Sequence, residues 1–305
     1  MRYDRLGFPI PPDFERAADA PRQAERSGRR GAGAGKRLIV AAVAVGLLVP
    51  VLAGPMLLPM VREAVVVWAL GRAAEREVRG DLAGAVAAMS WAIDWHGDDV
   101  DLLCLRSTLK LENRDAPGAI ADADRALAVA PTNPRPARVR AIAHVVDGDP
   151  DAALADAELV IGLSARGDPE ALNHRAYIRA LVGRHLDEAL ADIDAALAGT
   201  GASDAPELLD TRGFVLHLLG RQQEAVDQLN VAIDGLQRRR RELAMLAGRM
   251  DAVELARRRR WLDHSLAVMF HHRGLACRAL GLDGQADQDR EAALKKGFDP
   301  TRGIF

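Results

Sequence analysis

The sequence predicts an all-α fold, a stack of helical hairpins entered through one apolar N-terminal helix. Three observations lead there. Hydrophobic residues make up 49% of the 305-residue chain but aromatics only 4%, so small residues able to bring helices close replace the β-branched and aromatic alternation of a sheet protein. An alanine-centred pattern recurs along most of the chain. Residues 38–61 carry no charge at all.

Residues 1–37 are rich in Arg, Pro and Gly and are expected to be a disordered basic tail on the cytoplasmic side of a membrane. Within it, Phe8-Pro9-Ile10-Pro11-Pro12-Asp13-Phe14 reads either as a short polyproline docking peptide or as ordinary unstructured tail. Gly31 to Lys36 superficially suggests a phosphate loop. Arg30 stands where its first glycine is required, Arg37 where Ser or Thr must hold magnesium, and no strand precedes it.

The uncharged run Leu38 to Val61 is long enough for one tilted transmembrane helix, kinked by Pro50, Pro55 and Pro59. Arg22, Arg26, Arg29, Arg30, Lys36 and Arg37 precede it, whereas Arg62, Arg72 and Arg76 beyond it are matched by Glu63, Glu75 and Glu77. Basic flanks stay inside, so the expectation is a single-pass protein with its array on the extracytoplasmic side. The alternative is a signal peptide, cleaved near Ala53-Gly54, and a secreted array.

From residue 66 onwards a unit repeats. A turn glycine is followed by a short polar stretch, an alanine opening an apolar helix, and a second small residue seven positions later. The opening alanines are Ala85, Ala119, Ala153, Ala189, Ala225 and Ala286. The first steps are 34, 34, 36 and 36 residues; the last is 61, or 34 plus 27. Turn glycines stand at Gly80, Gly148, Gly183, Gly220 and Gly281, with Arg114 in the corresponding place. Small residues in each first helix are Ala73, Ser107, Ala141, Ala176, Gly213 and Gly274.

This pattern resembles the tetratricopeptide repeat (TPR), a helix–turn–helix unit of 34 residues. The resemblance covers 66–300 in about six repeats, and its closing proline survives at Pro131. It implies a right-handed superhelical solenoid with an inner groove that binds a peptide or partner protein. The family's groove positions fall on Arg135, Arg138, Asn173, Tyr177, Asp210, Phe214, His217, His271 and Arg278. Its carboxylate clamp of paired Lys and Asn is absent. Tyr177 and Phe214 fit packing as well as ligand contact.

The surplus residues, 237–263, keep a helical pattern without proline and are expected to lengthen two helices that turn near Gly248 to Asp251. They hold Arg238, Arg239, Arg240, Arg241, Arg257, Arg258, Arg259 and Arg260. Either these are solvated helices with snorkelling stems, or they bind anionic lipid or an acidic partner, as in an envelope-organising protein. Nucleic acid is not expected, because the net charge is −2 and the array is placed outside. Lys295 to Pro300 reads as a polar helix end with a stop.

No enzyme is expected. Asp122, Asp124, Asp192 and Asp194 read as solvated faces of second helices and not as acid–base pairs. His271-His272 with His264 lacks zinc-ligand spacing, since adjacent helical residues point about 100° apart, so no metal or cofactor is expected. Cys104 and Cys277 read as buried packing thiols.

Overall fold

In a computed structural model of the chain, residues 2–3, 9–10, 58–200 and 205–298 are described. Most of the expected tail and of the expected membrane segment lies outside them. The chain divides into two units, Met1–Val61 and Arg62–Phe305. In the first, β1 (Arg2–Tyr3) pairs antiparallel with β2 (Pro9–Ile10), Arg2 facing Ile10.

The second unit is helical among the described residues, and its elements pair into six hairpins. They are α1 (58–78) with α2 (Leu82–His96), α3 (Val100–Glu112) with α4 (Ala116–Val129), and α5 (Pro134–Asp147) with α6 (Pro150–Leu163). Then follow α7 (Pro169–Val182) with α8 (Leu186–Thr200), α9 (Pro206–Leu218) with α10 (Gln222–Met245), and α11 (Ala252–Ala279) with α12 (Asp283–Lys295). Helical structure thus begins at 58, eight residues before the expected start of the array. Among the described residues no helix is long and apolar enough to cross a membrane.

Local chemistry sets the boundaries. Asp81, Asp115 and Asp149 cap second helices by accepting from the amides of Gly84, Gly118 and Ala152. Asp99, Asn133, Asp168 and Asp251 cap first helices in the same way, each satisfying a helix-start donor. The turn within each hairpin needs a left-handed residue. Gly148, for example, sits at φ +83°, where a glycine costs least. Arg114 takes the same position at φ 65°, so there a side chain bears the strain that glycine avoids elsewhere.

Alanine sets the packing. Ala85, Ala119, Ala153, Ala189 and Ala225 are fully buried where the two helices of a hairpin meet. At Gly213 the approach is closer still, since a Cβ there would lie 2.6 Å from Leu229 Cγ. From the second hairpin onwards the first helix touches the first helix of the next: α3 meets α5, α5 meets α7, α7 meets α9, and α9 meets α11. Second helices make no comparable run of contacts, so the stack curves with the first helices on its inner side.

Of the aspartates expected on solvated faces of the second helices, Asp124 and Asp194 are exposed, but the expectation is overturned for Asp122 and Asp192. Asp122, Asp156, Asp192 and Asp289 are buried, each gripped by the arginine that precedes the small residue of its own first helix. Arg140 Nε and Nη2 donate to Asp156 at 2.8 and 2.5 Å, while Nη1 reaches back to Asp124 of the preceding hairpin at 2.6 Å. Arg175 holds Asp192 and Glu158 alike. Arg106 holds Asp122 and Ser90, and Arg273 holds Asp289 and Asn230. In the fifth hairpin Gln228 replaces the aspartate, and Arg212 keeps only the backward bond, to Asp194. At Asp122 and Asp192 the solvated reading failed because it weighed each helix alone, whereas the partner lies 16 or 17 residues away on another helix.

These bridges show both faces of buried ion pairs. Desolvation nearly offsets their attraction, but removing one partner strands a charge. Asp156→Ala is therefore expected to cost about 3–5 kcal/mol, and Arg140→Met with Asp156→Leu far less. Chemical denaturation of the single and double variants checks the contrast.

Candidate functional site

The inner side of the first helices carries the residues that the repeat pattern assigns to the groove, and the structure places them in three settings. On α5, Arg135 pairs with Asp101 and Arg138 with Glu170 and Asp168, at 2.9 and 3.5 Å. On α9 and α11, Asp210, Phe214, His217 and His271 belong to an aromatic and ionic cluster. Arg278 is exposed at the end of α11 and pairs with Asp283 and Asp287, apart from that cluster.

The α9–α11 cluster is built around a residue not assigned to the groove. His272 is fully buried; its Nδ1–H donates to Asp210 at 2.9 Å. Its ring stacks on Phe214 with centroids 4.1 Å apart. Phe214 is thereby a packing residue, buried between helices. His271 stacks on Phe298 instead, and desolvation pushes its imidazole down to about 4, reinforced by the neighbouring His272 and His217. His217 Nδ1 meets Gln222, whose amide in turn donates to the His217 carbonyl. Phe298, read as part of a polar stop, therefore closes over the first helix of the last hairpin.

His272 Nε2 in that cluster is buried without a partner, and further unmet atoms lie between α5 and α7. Arg138 Nε, Asn173 Oδ1 and His174 Nε2 are buried, and none has a hydrogen-bond partner. Buried polar atoms are normally satisfied, so a donor, an acceptor and an imidazole nitrogen of either role on touching helices form an unfilled set. Desolvation, with help from Arg138, pushes His174 down to about 3, which keeps the imidazole neutral at neutral pH, its Nε2 accepting or donating according to the tautomer. Tyr177, one turn beyond Asn173, packs against the core of α7, α8 and α9; burial raises its phenol. His174 carried no signal in the sequence, because a single histidine beside Asn173 has no recognisable spacing.

Helices α10 and α11 run long and meet through a 3₁₀ turn at Ala247–Arg249. The arginines of the insertion, however, are not one solvated face. Arg239 pairs with Glu207, Arg240 with Asp263, and Arg257 and Arg258 with Glu254. Arg260 donates to the Glu77 carbonyl and, at 2.8 Å, to Glu112. Those partners are on α1 and α3, so the arm ties the sixth hairpin to the first two. Arg238, Arg241 and Arg259 are exposed.

Cys104 and Cys277 are free and buried, and burial pushes the Cys104 thiol up to about 11. Both are packing groups. Among the described residues no group of His, Cys, Asp or Glu is arranged to hold a metal ion.

No protein-family model matches this chain, and no curated protein matches it in sequence. Solved structures do. One is a thermophilic TPR protein from Thermus thermophilus, 20% identical, covering 56% of this chain and 91% of its own, with a TM-score of 0.48. A tetratricopeptide repeat protein from Parabacteroides merdae is 17% identical, with 78% and 95% covered and a TM-score of 0.45. YrrB, described as a TPR protein with an unusual peptide-binding site, is 14% identical, with 70% and 95% covered and a TM-score of 0.38.

Two outcomes follow from this geometry. Unfolding exposes His174, so the unfolded chain takes up its proton near the ordinary value of 6.5 and the folded one only near 3. Stability therefore falls as pH drops below that upper value, by about 2 kcal/mol between pH 7 and pH 5. His174→Leu should flatten this component in pH-dependent denaturation. For the arm, Arg260→Ala should lengthen and broaden a spin-label distance between α1 and α11. An unchanged distance would show that other contacts hold it.

Proposed function

We propose that the chain is a membrane-tethered interaction scaffold that holds an extended peptide, or an extended segment of a partner protein, across α5 and α7. The observation that carries this reading is the unfilled set Arg138 Nε, Asn173 Oδ1 and His174 Nε2. A peptide backbone presents donors and acceptors in alternation, which suits a donor, an acceptor and an imidazole nitrogen of either role on adjacent helices. Leaving such atoms unmet costs about 1–3 kcal/mol each, and a ligand that satisfies them regains it.

The tether reading is supported by the uncharged run 38–61 and its basic N-terminal flank. It puts the array on the extracytoplasmic side, with residues 1–37 inside. Binding of anionic lipid by the arginine hairpin is the weaker alternative, because most of those side chains already face internal acids.

The test is a displayed random-peptide library selected against the full chain in detergent. Selected peptides should bind saturably, and Asn173→Ala should weaken them about tenfold, the equivalent of about 1.4 kcal/mol. Glu291→Ala, on the outside of α12, should leave affinity unchanged. Failure to select any saturable peptide, or equal affinity for both variants, overturns the reading.

A further inference from the structure

The terminal hairpins of a repeat array have no neighbour on one side, and a polar outer face is what keeps such ends soluble. The last hairpin obeys this for the most part, with Asp287, Gln288, Arg290, Glu291 and Lys295 exposed on α12 around the separate leucines Leu282 and Leu294. The first does not. On α1, Ala64, Val67 and Trp68 are all exposed and share one helical stripe by their spacing of three and four. Val67 is 68% and Trp68 56% accessible.

Helix α2 widens this patch. Trp91 packs edge-on against Trp68 with ring centroids 5.1 Å apart, and Trp95 lies 6.1 Å beyond Trp91. Trp91 and Trp95 are 39% and 46% exposed. Three of the chain's four tryptophans therefore make one continuous exposed surface. Its border carries an ion pair: the Arg72 guanidinium sits 5.9 Å from the Trp68 ring centre, and Glu75 in turn pairs with Arg72. Large amphipathic rings with a neutralised polar edge suit the boundary between lipid headgroups and acyl chains, where tryptophan concentrates.

We propose that the Trp68–Trp91–Trp95 face is an interfacial seat, by which the first hairpin rests in the headgroup layer of a lipid bilayer. The position along the chain selects this occupant. Trp68 follows the end of the uncharged run by seven residues, about 10 Å of helix. A membrane entered through that run lies within reach of the patch, whereas a protein partner would have to find it independently. The inference rests on the membrane-tethered reading. It adds that the array is held against the surface and does not swing freely on a linker.

Bromolipid quenching of tryptophan emission tests it in the full-length chain reconstituted into phosphatidylcholine vesicles. Bromine is placed either near the glycerol end of the acyl chain or near its methyl end. Trp261→Phe leaves only the three patch tryptophans, and their emission should be lost mainly to the shallow bromine. Replacing Trp68, Trp91 and Trp95 together by Phe leaves Trp261 on the inserted arm, which should be unquenched. Vesicle flotation separates the two readings. A chain that floats while its patch emission is unquenched overturns the seat and leaves the tether standing, whereas a chain that does not float overturns both. Patch emission that shifts with protein concentration but not with brominated lipid would assign the face to self-association and also overturn the seat.

Discussion

The arginine that precedes each small residue of a first helix is the interaction on which the array depends. One guanidinium makes two parallel bonds to an aspartate of its own hairpin and, in four hairpins, a third to the hairpin before. Its planar fork admits one arrangement of three helices, so it sets register as well as closeness. Alanine contacts alone would allow neighbouring hairpins to slide, because a smooth surface of methyl groups specifies distance better than alignment. The pairing is strongest where both partners are shielded, as for Arg106 with Asp122, whose carboxylate also meets Lys110. It is weakest in the fifth hairpin, where Gln228 stands in for the acid and only the backward bond of Arg212 survives.

That weakness coincides with the departure from regular repetition. The fifth hairpin is where α10 lengthens, and the sixth begins with the matching extension of α11. The place of the missing bridge is taken by the Asp210–His272–Phe214 stack between α9 and α11, together with buried Leu236, Leu243, Leu262 and Leu266 on the long helices. The arm then carries Arg260 back to Glu77 and Glu112. A solenoid joined only through nearest neighbours is pliant. A contact between its sixth hairpin and its first two limits how far the inner side can open, and so couples the width of the α5–α7 region to the arm.

The two ends of the array differ in a way that fits this arrangement. The C-terminal helix presents charge outward and is finished by Phe298 over His271. The N-terminal hairpin presents tryptophans and valine. An open aromatic face on a terminal hairpin is costly in water, and its retention next to an uncharged run of chain is consistent with a covered environment.

The periodicity of small residues was enough to read an all-α fold of repeated helical hairpins, because helical repetition is a local constraint written into each 34-residue unit. The arginine–aspartate ladder was also written there, as Arg before the small residue and Asp three positions after the alanine. It was missed because it joins residues 16 or 17 apart, a separation that no single-helix pattern marks. Only the tertiary structure decided what the groove residues do. Phe214 and Asp210 are spent on His272, Arg138 and Asn173 keep unmet atoms, and the arginine runs turn inward to acids up to 183 residues away. The sequence by itself determined which helices form and how often, since propensity and periodicity act within a turn or two. Burial and pairing were settled by folding, because each depends on which distant side chain arrives opposite.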